Sequence, residues 1–281
     1  MATPVLTRFQ LRGADGGPLR GDVRRADGGP RPAVVICHGF KGFKDWGFFP
    51  HLADRLARAG LVAVSFNFSG SGVGPDGETF SEPERFGHAT LAHDLADLSA
   101  VIAALDSGTL AGTPPPPAIG LFGHSRGGGV TLLHAREAGR AGALVTWAAI
   151  ATAHRWGPET VSRWRAQGKL AVTNQRTGDV LPLYLDVLDE LDRDTRGRFD
   201  LGAAAGALAC PWLQVHGAVD ESVPVHEAED LWERSGRKSR LLVLPHGSHT
   251  FGARHPWAGT TPELERAFDE TAAWFTKNLF G

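Results

Sequence analysis

Two cysteines in 281 residues leave no disulfide framework to hold this chain together. Cys37 lies inside an apolar run and Cys210 sits beside Pro211, so both read as free thiols. An excess of one charge is also missing: 29 Lys and Arg stand against 31 Asp and Glu, a formal net charge of −2. That balance gives no electrostatic footing for nucleic acid or for an anionic membrane surface. No apolar run approaches the length of a bilayer span. Met1 to Leu11 lacks the apolar core of a secretory leader, so a cytoplasmic location is expected. The 12 histidines form neither His-Glu-x-x-His nor a Cys/His ligand spacing, and no metal is expected. The glycines of Ser69 to Gly74 fail as a nucleotide cradle, because Pro75, Asp76 and Gly77 break the chain where a helix should open.

What is present is a regular alternation of apolar strands and helical patterns. Leu6 to Leu11 and Leu19 to Arg25 alternate apolar and polar residues around a Gly-rich turn, which predicts an antiparallel hairpin. Ala33 to Cys37, Val62 to Phe68, Ala118 to Gly123, Ala143 to Ala148, Trp212 to Gly217 and Ser239 to Leu244 are unbroken apolar runs of the kind buried on both faces of a parallel sheet. Helices are predicted from about Phe49 to Ala59, Ala89 to Leu105, Val130 to Glu137, His226 to Ser235 and Pro262 to Leu279. The pattern specifies an α/β fold, a mostly parallel twisted sheet with helices on both faces. The alternation lapses from Thr152 to Ala209. A structureless loop of that length does not fit a compact domain, so an inserted cap of short helices, with room for a hairpin, is expected there. The body is then residues 1–151 and 210–281. A helical piece is predicted from Leu183 to Leu191 within the cap.

The chemistry centres on Gly123-His124-Ser125-Arg126-Gly127, between a strand and a helix. G-x-S-x-G in that context is a nucleophile elbow: the serine stands on a sharp turn, and its neighbours must lack Cβ atoms. The Arg126 N–H, at a helix N-terminus, can donate to a developing oxyanion. A second donor is expected from the loop after Cys37, where the Phe40 N–H fits. His38 in that loop reads as a structural histidine. A serine hydroxyl needs a base, and the base needs a carboxylate to fix its tautomer. Asp220, in the turn after the strand ending at Gly217, is the candidate acid, with Glu221 as its rival. His249, after the last strand, is the candidate base, with His246 as its rival. Trp156, Trp164, Leu183 and Tyr184 are too apolar for a solvated loop. They are expected either to wall the substrate site or to fasten the cap to the body.

His38-Gly39-Phe40, Phe66 to Gly72, Gly123 to Gly128, His216-Gly217 with Asp220, and Ser248-His249-Thr250-Phe251 resemble the α/β-hydrolase superfamily, from about Arg31 to the C-terminus. Within it the chain is similar to bacterial esterases related to cinnamoyl (feruloyl) esterases and dienelactone hydrolase. Dienelactone hydrolases carry cysteine at the nucleophile position, and Ser125 argues against that activity. The resemblance implies a carboxylic ester hydrolase acting through an acyl-enzyme, without a cofactor, on a small-molecule ester with a small to medium acyl or aryl group. Ser125, His249 and Asp220 would be its triad, and the Phe40 and Arg126 amides its oxyanion hole. A serine peptidase or thioesterase of the same fold, and a ligand-binding homologue without turnover, are the alternatives. A homodimer is left open.

Overall fold

The computed structural model describes residues 4–26, 28–174 and 178–280. The chain opens with a hairpin of β1 (Val5–Arg12) and β2 (Pro18–Arg25), followed by β3 (Ala33–Cys37), α1 (Phe49–Arg58) and β4 (Val62–Phe66). A short α2 (Pro83–Gly87) precedes α3 (Leu91–Asp106). β5 (Ile119–His124) runs into α4 (Arg126–Ala138), then β6 (Ala141–Trp147). α5 (Pro158–Gln167), β7 (Lys169–Thr173), β8 (Val180–Tyr184), α6 (Leu185–Asp192) and α7 (Leu201–Ala207) occupy the stretch expected as a cap. β9 (Trp212–Gly217), α8 (His226–Arg234), β10 (Arg240–Leu244) and α9 (Pro262–Leu279) complete the chain.

Eight strands form one sheet in the order β1-β2-β4-β3-β5-β6-β9-β10. β1, β2 and β4 pair antiparallel, and every pair from β4 to β10 is parallel. The chain steps from β3 outward to β4 and then returns past β3 to β5, so β3 and β5 flank a topological switch point. Loops leaving those two strands diverge, and open α/β sheets place their sites in the crevice this leaves.

Period-two alternation explains the two cores. Val34 and Ile36 face Leu52 and Leu56 of α1 and Phe268 and Phe275 of α9. Ala33, Val35 and Cys37 face the opposite layer, with Leu95 and Leu98 of α3 and Val130 and Leu133 of α4. A strand covered on both sides has no polar face, which is why these runs are unbroken. α1 buries Leu52, Ala53 and Leu56 on one stripe, and its last turn sets Arg55 and Arg58 against the negative end of the helix. α9 begins under a cap, with the Leu264 N–H donating to Thr261 Oγ1 at 3.1 Å.

One boundary differs from expectation. The helix predicted from Leu183 starts instead at Leu185, and Leu183 and Tyr184 belong to β8, paired antiparallel with β7. The deciding pattern is Leu181 and Leu183, buried on either side of the half-buried Pro182, a period of two rather than 3.6. The last helix of this stretch, α7, packs against α4 and α8.

The elbow itself depends on missing side chains. A Cβ on Gly127 would lie 2.4 Å from the His38 carbonyl oxygen and 2.6 Å from that of Cys37, and neither backbone atom can retreat without parting β3 from its neighbours. Gly127→Ala should therefore lower stability by about 3 kcal/mol or more in urea unfolding. Gly29→Ala, whose Cβ would meet nothing within 4 Å, should leave the urea midpoint nearly unchanged.

Candidate active site

Ser125 is the residue between β5 and α4, and it adopts φ 57°, ψ −121°. A side chain at positive φ is disfavoured, and such strain persists only where the surroundings over-determine it. The Ser125 N–H donates to the Trp147 carbonyl at 2.9 Å, and its own carbonyl accepts from the Gly128 N–H at 2.9 Å. The tip of the turn is thus bonded to β6 on one side and to α4 on the other.

The structure brings the candidate acid and base together. His249 Nδ1 donates to Asp220 Oδ2 at 2.8 Å. Asp220 Oδ1 accepts from the Ser222 N–H at 2.8 Å and from the Val223 N–H at 2.9 Å. Burial alone would raise this carboxyl. The bond from His249 and the two backbone donors outweigh it and hold Asp220 below the usual carboxylate range. A carboxylate so held accepts the Nδ1 proton and leaves Nε2 of the neutral imidazole as the basic nitrogen. Glu221 and His246, the rivals, are both exposed.

His216, directly beneath, donates from Nε2 to the Val223 carbonyl at 2.7 Å, which closes the turn around Asp220. Burial lowers its pKa, against the pull of the Val223 carbonyl and of Asp220. The backbone also welds the acid turn to the histidine loop: the Val219 N–H donates to the Gly247 carbonyl at 3.1 Å.

The loop after β3 carries Phe40 to the opposite wall. His38 is structural, as expected: its Nε2 accepts from the Phe68 N–H at 3.2 Å, so Nδ1 carries the proton and donates to the Gly39 carbonyl at 2.9 Å. Burial pushes its pKa down to about 4. A Cβ on Gly39 would lie 2.9 Å from Ser125 Cβ, so this loop touches the elbow. Arg126 opens α4, where the first N–H groups have no partner within the helix.

Ser125, His249, Phe40 and Arg126 all line one cavity of about 440 Å³. Trp156 lines it too, beside Leu91, Ile150 and Val223. The other three candidates stand elsewhere: Leu183 is buried on β8, and the two aromatics are held by their own partners. Trp164 is fully buried and meets Trp156 edge-on, with ring centroids 5.0 Å apart. Tyr184 stacks on His88 and donates its hydroxyl to Glu84 at 2.7 Å. Neither lines the cavity; both fasten α5 and β8 to their neighbours. Lys41, Arg155 and buried Asn174 line the cavity without having been singled out in the sequence. The elbow's own His124 was also passed over: its Nε2 donates to the His249 backbone carbonyl at 2.9 Å. Among the described residues, no group of three or more His, Cys, Asp and Glu side chains is placed to hold a metal ion, and no helix is long and apolar enough to cross a membrane.

A family model described as serine aminopeptidase, S33, matches residues 28–196, which include the elbow and both loops that flank it. The chain belongs to this family of α/β-hydrolases. It is a hydrolase by family, with the mostly parallel sheet of the superfamily. It is 27% identical over 303 residues to a monoacylglycerol lipase of Mycolicibacterium smegmatis, covering 99% of this chain and 100% of that one. A 2,6-dihydropseudooxynicotine hydrolase of Paenarthrobacter nicotinovorans is 25% identical over 275 residues, covering 95% of this chain and 64% of the relative. Among solved structures, Est1E of Butyrivibrio proteoclasticus with bound ferulic acid superimposes with a TM-score of 0.74 at 18% identity, covering 97% of this chain and 100% of that one. At that identity the likeness concerns the fold.

One buried carboxylate, behind the Arg126 side chain, is pushed up by its surroundings. Burial raises Asp94 to about 6, against the pull of Arg126, whose Nε donates to Asp94 Oδ2 at 2.8 Å; Asp97 and Glu190 add to the rise. Because its folded value lies above the ordinary 3.8, the stability it contributes is present below pH 3.8 and is lost as pH rises through about 6. Asp94→Asn cannot titrate. The stability difference between wild type and Asp94→Asn should therefore shift by up to about 3 kcal/mol against wild type over that window. Urea unfolding of both proteins at several pH values checks this, and a constant difference would contradict it.

Proposed function

We propose that the protein is a serine hydrolase that cleaves carboxylic esters through an acyl-enzyme. The observation that carries the reading is the His249–Asp220 bond at 2.8 Å beside a cavity that Ser125, itself at positive φ, also lines. In this reading His249 Nε2 takes the Ser125 hydroxyl proton as Oγ attacks the ester carbonyl carbon. The carbonyl electrons move to oxygen, where the Phe40 and Arg126 N–H groups receive the charge. Collapse expels the alcohol, which leaves with the proton from His249. Water then repeats the sequence on the acyl-enzyme, giving its proton to His249 and releasing the acid and Ser125. Asp220 orients the imidazole and stabilises its charged form throughout.

An ester is favoured over the aminopeptidase substrate that the family's description suggests. An aminopeptidase must hold a free α-ammonium, which calls for a carboxylate at the cavity wall. Among the described residues, the lining carries no Asp or Glu. The lipase relative points the same way. Trp156, Leu91, Ile150 and Val223 supply an apolar wall for the acyl or alcohol part.

Ser125→Ala should fold as wild type yet lose about 10³-fold or more in kcat on p-nitrophenyl hexanoate. A fluorophosphonate should label wild type and not that variant. His249→Ala should be about as damaging, while His246→Ala should remain near wild type. Turnover or labelling that survives Ser125→Ala would overturn the assignment. Faster cleavage of amino-acid p-nitroanilides than of esters would favour the peptidase reading.

A further inference from the structure

We propose that the cavity selects esters bearing an anionic group, a carboxylate on the acyl or the alcohol part; this rests on the esterase reading above. The charged residues that line the cavity alongside His249 are Lys41, Arg126 and Arg155, and among the described residues no carboxylate faces it. In a chain with nearly equal numbers of acidic and basic residues, this sorting is a property of the site.

The three cations come from three separate segments: the loop after β3, the start of α4 and the segment leading into α5. Each is held from behind. Arg126 donates Nε to buried Asp94 at 2.8 Å and Nη2 to the Ala89 carbonyl at 3.0 Å. Arg155 donates Nη1 to both oxygens of Glu227 at 2.6 and 2.7 Å and Nη2 to the Ser222 carbonyl at 3.1 Å. Lys41 donates Nζ to the Thr173 carbonyl at 3.0 Å. Glu227 is itself locked, accepting the Ala151 N–H at 2.7 Å.

These partners leave donors over. A guanidinium has five N–H groups in a rigid fork. Arg126 Nη1 and Arg155 Nε make no hydrogen bond to any described residue, and these two side chains are 17% and 28% exposed. Cations already fixed in place lose little freedom when they bind, so a carboxylate arriving there finds preorganised donors in a partly desolvated wall. A substrate ammonium would meet the same charges as repulsion. The apolar residues between them take the hydrocarbon spacer that joins the carboxylate to the scissile ester.

Two ester pairs test this, each matched except for the carboxylate. Mono-p-nitrophenyl adipate against p-nitrophenyl hexanoate places the charge on the acyl part, and 4-carboxyphenyl acetate against phenyl acetate places it on the alcohol. At low ionic strength kcat/KM should favour the anionic member of at least one pair by about tenfold or more, the scale of one charge-assisted hydrogen bond. High salt should reduce the ratio. Arg155→Gln should bring the ratio toward unity. Because a ratio cancels any loss of folded enzyme, it stays readable if unpaired Glu227 destabilises that variant, and Lys41→Gln supplies an independent second reading. A ratio near or below unity in both pairs for wild type, or one that neither variant changes, would overturn the proposal and leave the cations a structural role. Failure of the esterase reading looks different: no ester of either kind would be turned over. In that case calorimetry on Ser125→Ala still decides the charge preference, with adipate binding and hexanoate not, or the reverse.

Discussion

The backbone of Ser125 is the constraint on which the rest of the site depends. Holding a side-chain-bearing residue at φ 57° costs on the order of 1–3 kcal/mol, and the fold supplies the means to hold it. Its N–H is fixed by β6, its carbonyl by the first turn of α4, and the space around it is cleared by glycines on β5, on α4 and on the loop after β3. The hydrogen bonds and the tightest of these glycine contacts, those of Gly123 and Gly127, are to backbone atoms. The hydroxyl is therefore presented at a point set by sheet geometry, and the loops that supply the other groups are built out to meet it.

Those loops are secured by electrostatics of a different kind. Asp220 is buried, yet each of its oxygens accepts a hydrogen bond, so its charge is offset by three donors rather than by solvent. At Asp94 burial outweighs the guanidinium, two acidic neighbours add to it, and the carboxyl rises instead of falling. Two buried carboxylates, one behind His249 and one behind Arg126, are thus pushed in opposite directions by their surroundings. Asp220 keeps its charge to orient the imidazole; Asp94 carries a strained charge that anchors Arg126.

The parts of this design that were legible in the sequence are those whose cause is local. An elbow declares itself because the glycines must flank the serine, and Asp220 and His249 follow strands whose apolar runs are unmistakable. The sequence left open whether Trp164 and Tyr184 wall the site or fasten the cap, because their partners are set by tertiary packing. The Tyr184 ring lies against Gly87 of α2, a helix of five residues in a polar stretch with no periodicity to reveal it. Lys41 and Arg155 were passed over for a related reason. A lone cation in a loop reads as solvated, and their partners lie 132 and 72 residues away. The S33 match confirms the family that the motifs suggested and leaves the cavity wall to be read from its own residues.

The backbone weld between the acid turn and the histidine loop bears on where this chain can change length. A Cβ on Gly217 would sit 2.0 Å from the Gly247 carbonyl oxygen, so an insertion between Leu244 and His249 would have to displace backbone already packed against the end of β9. Beyond Phe251 the situation reverses. Thr261 Oγ1 donates to the Phe251 carbonyl at 2.6 Å and pins the return to α9, while residues 258–260 between them are exposed, and Gly259 would meet nothing within 4 Å. Insertions at that tip extend a surface loop whose two ends are already fixed.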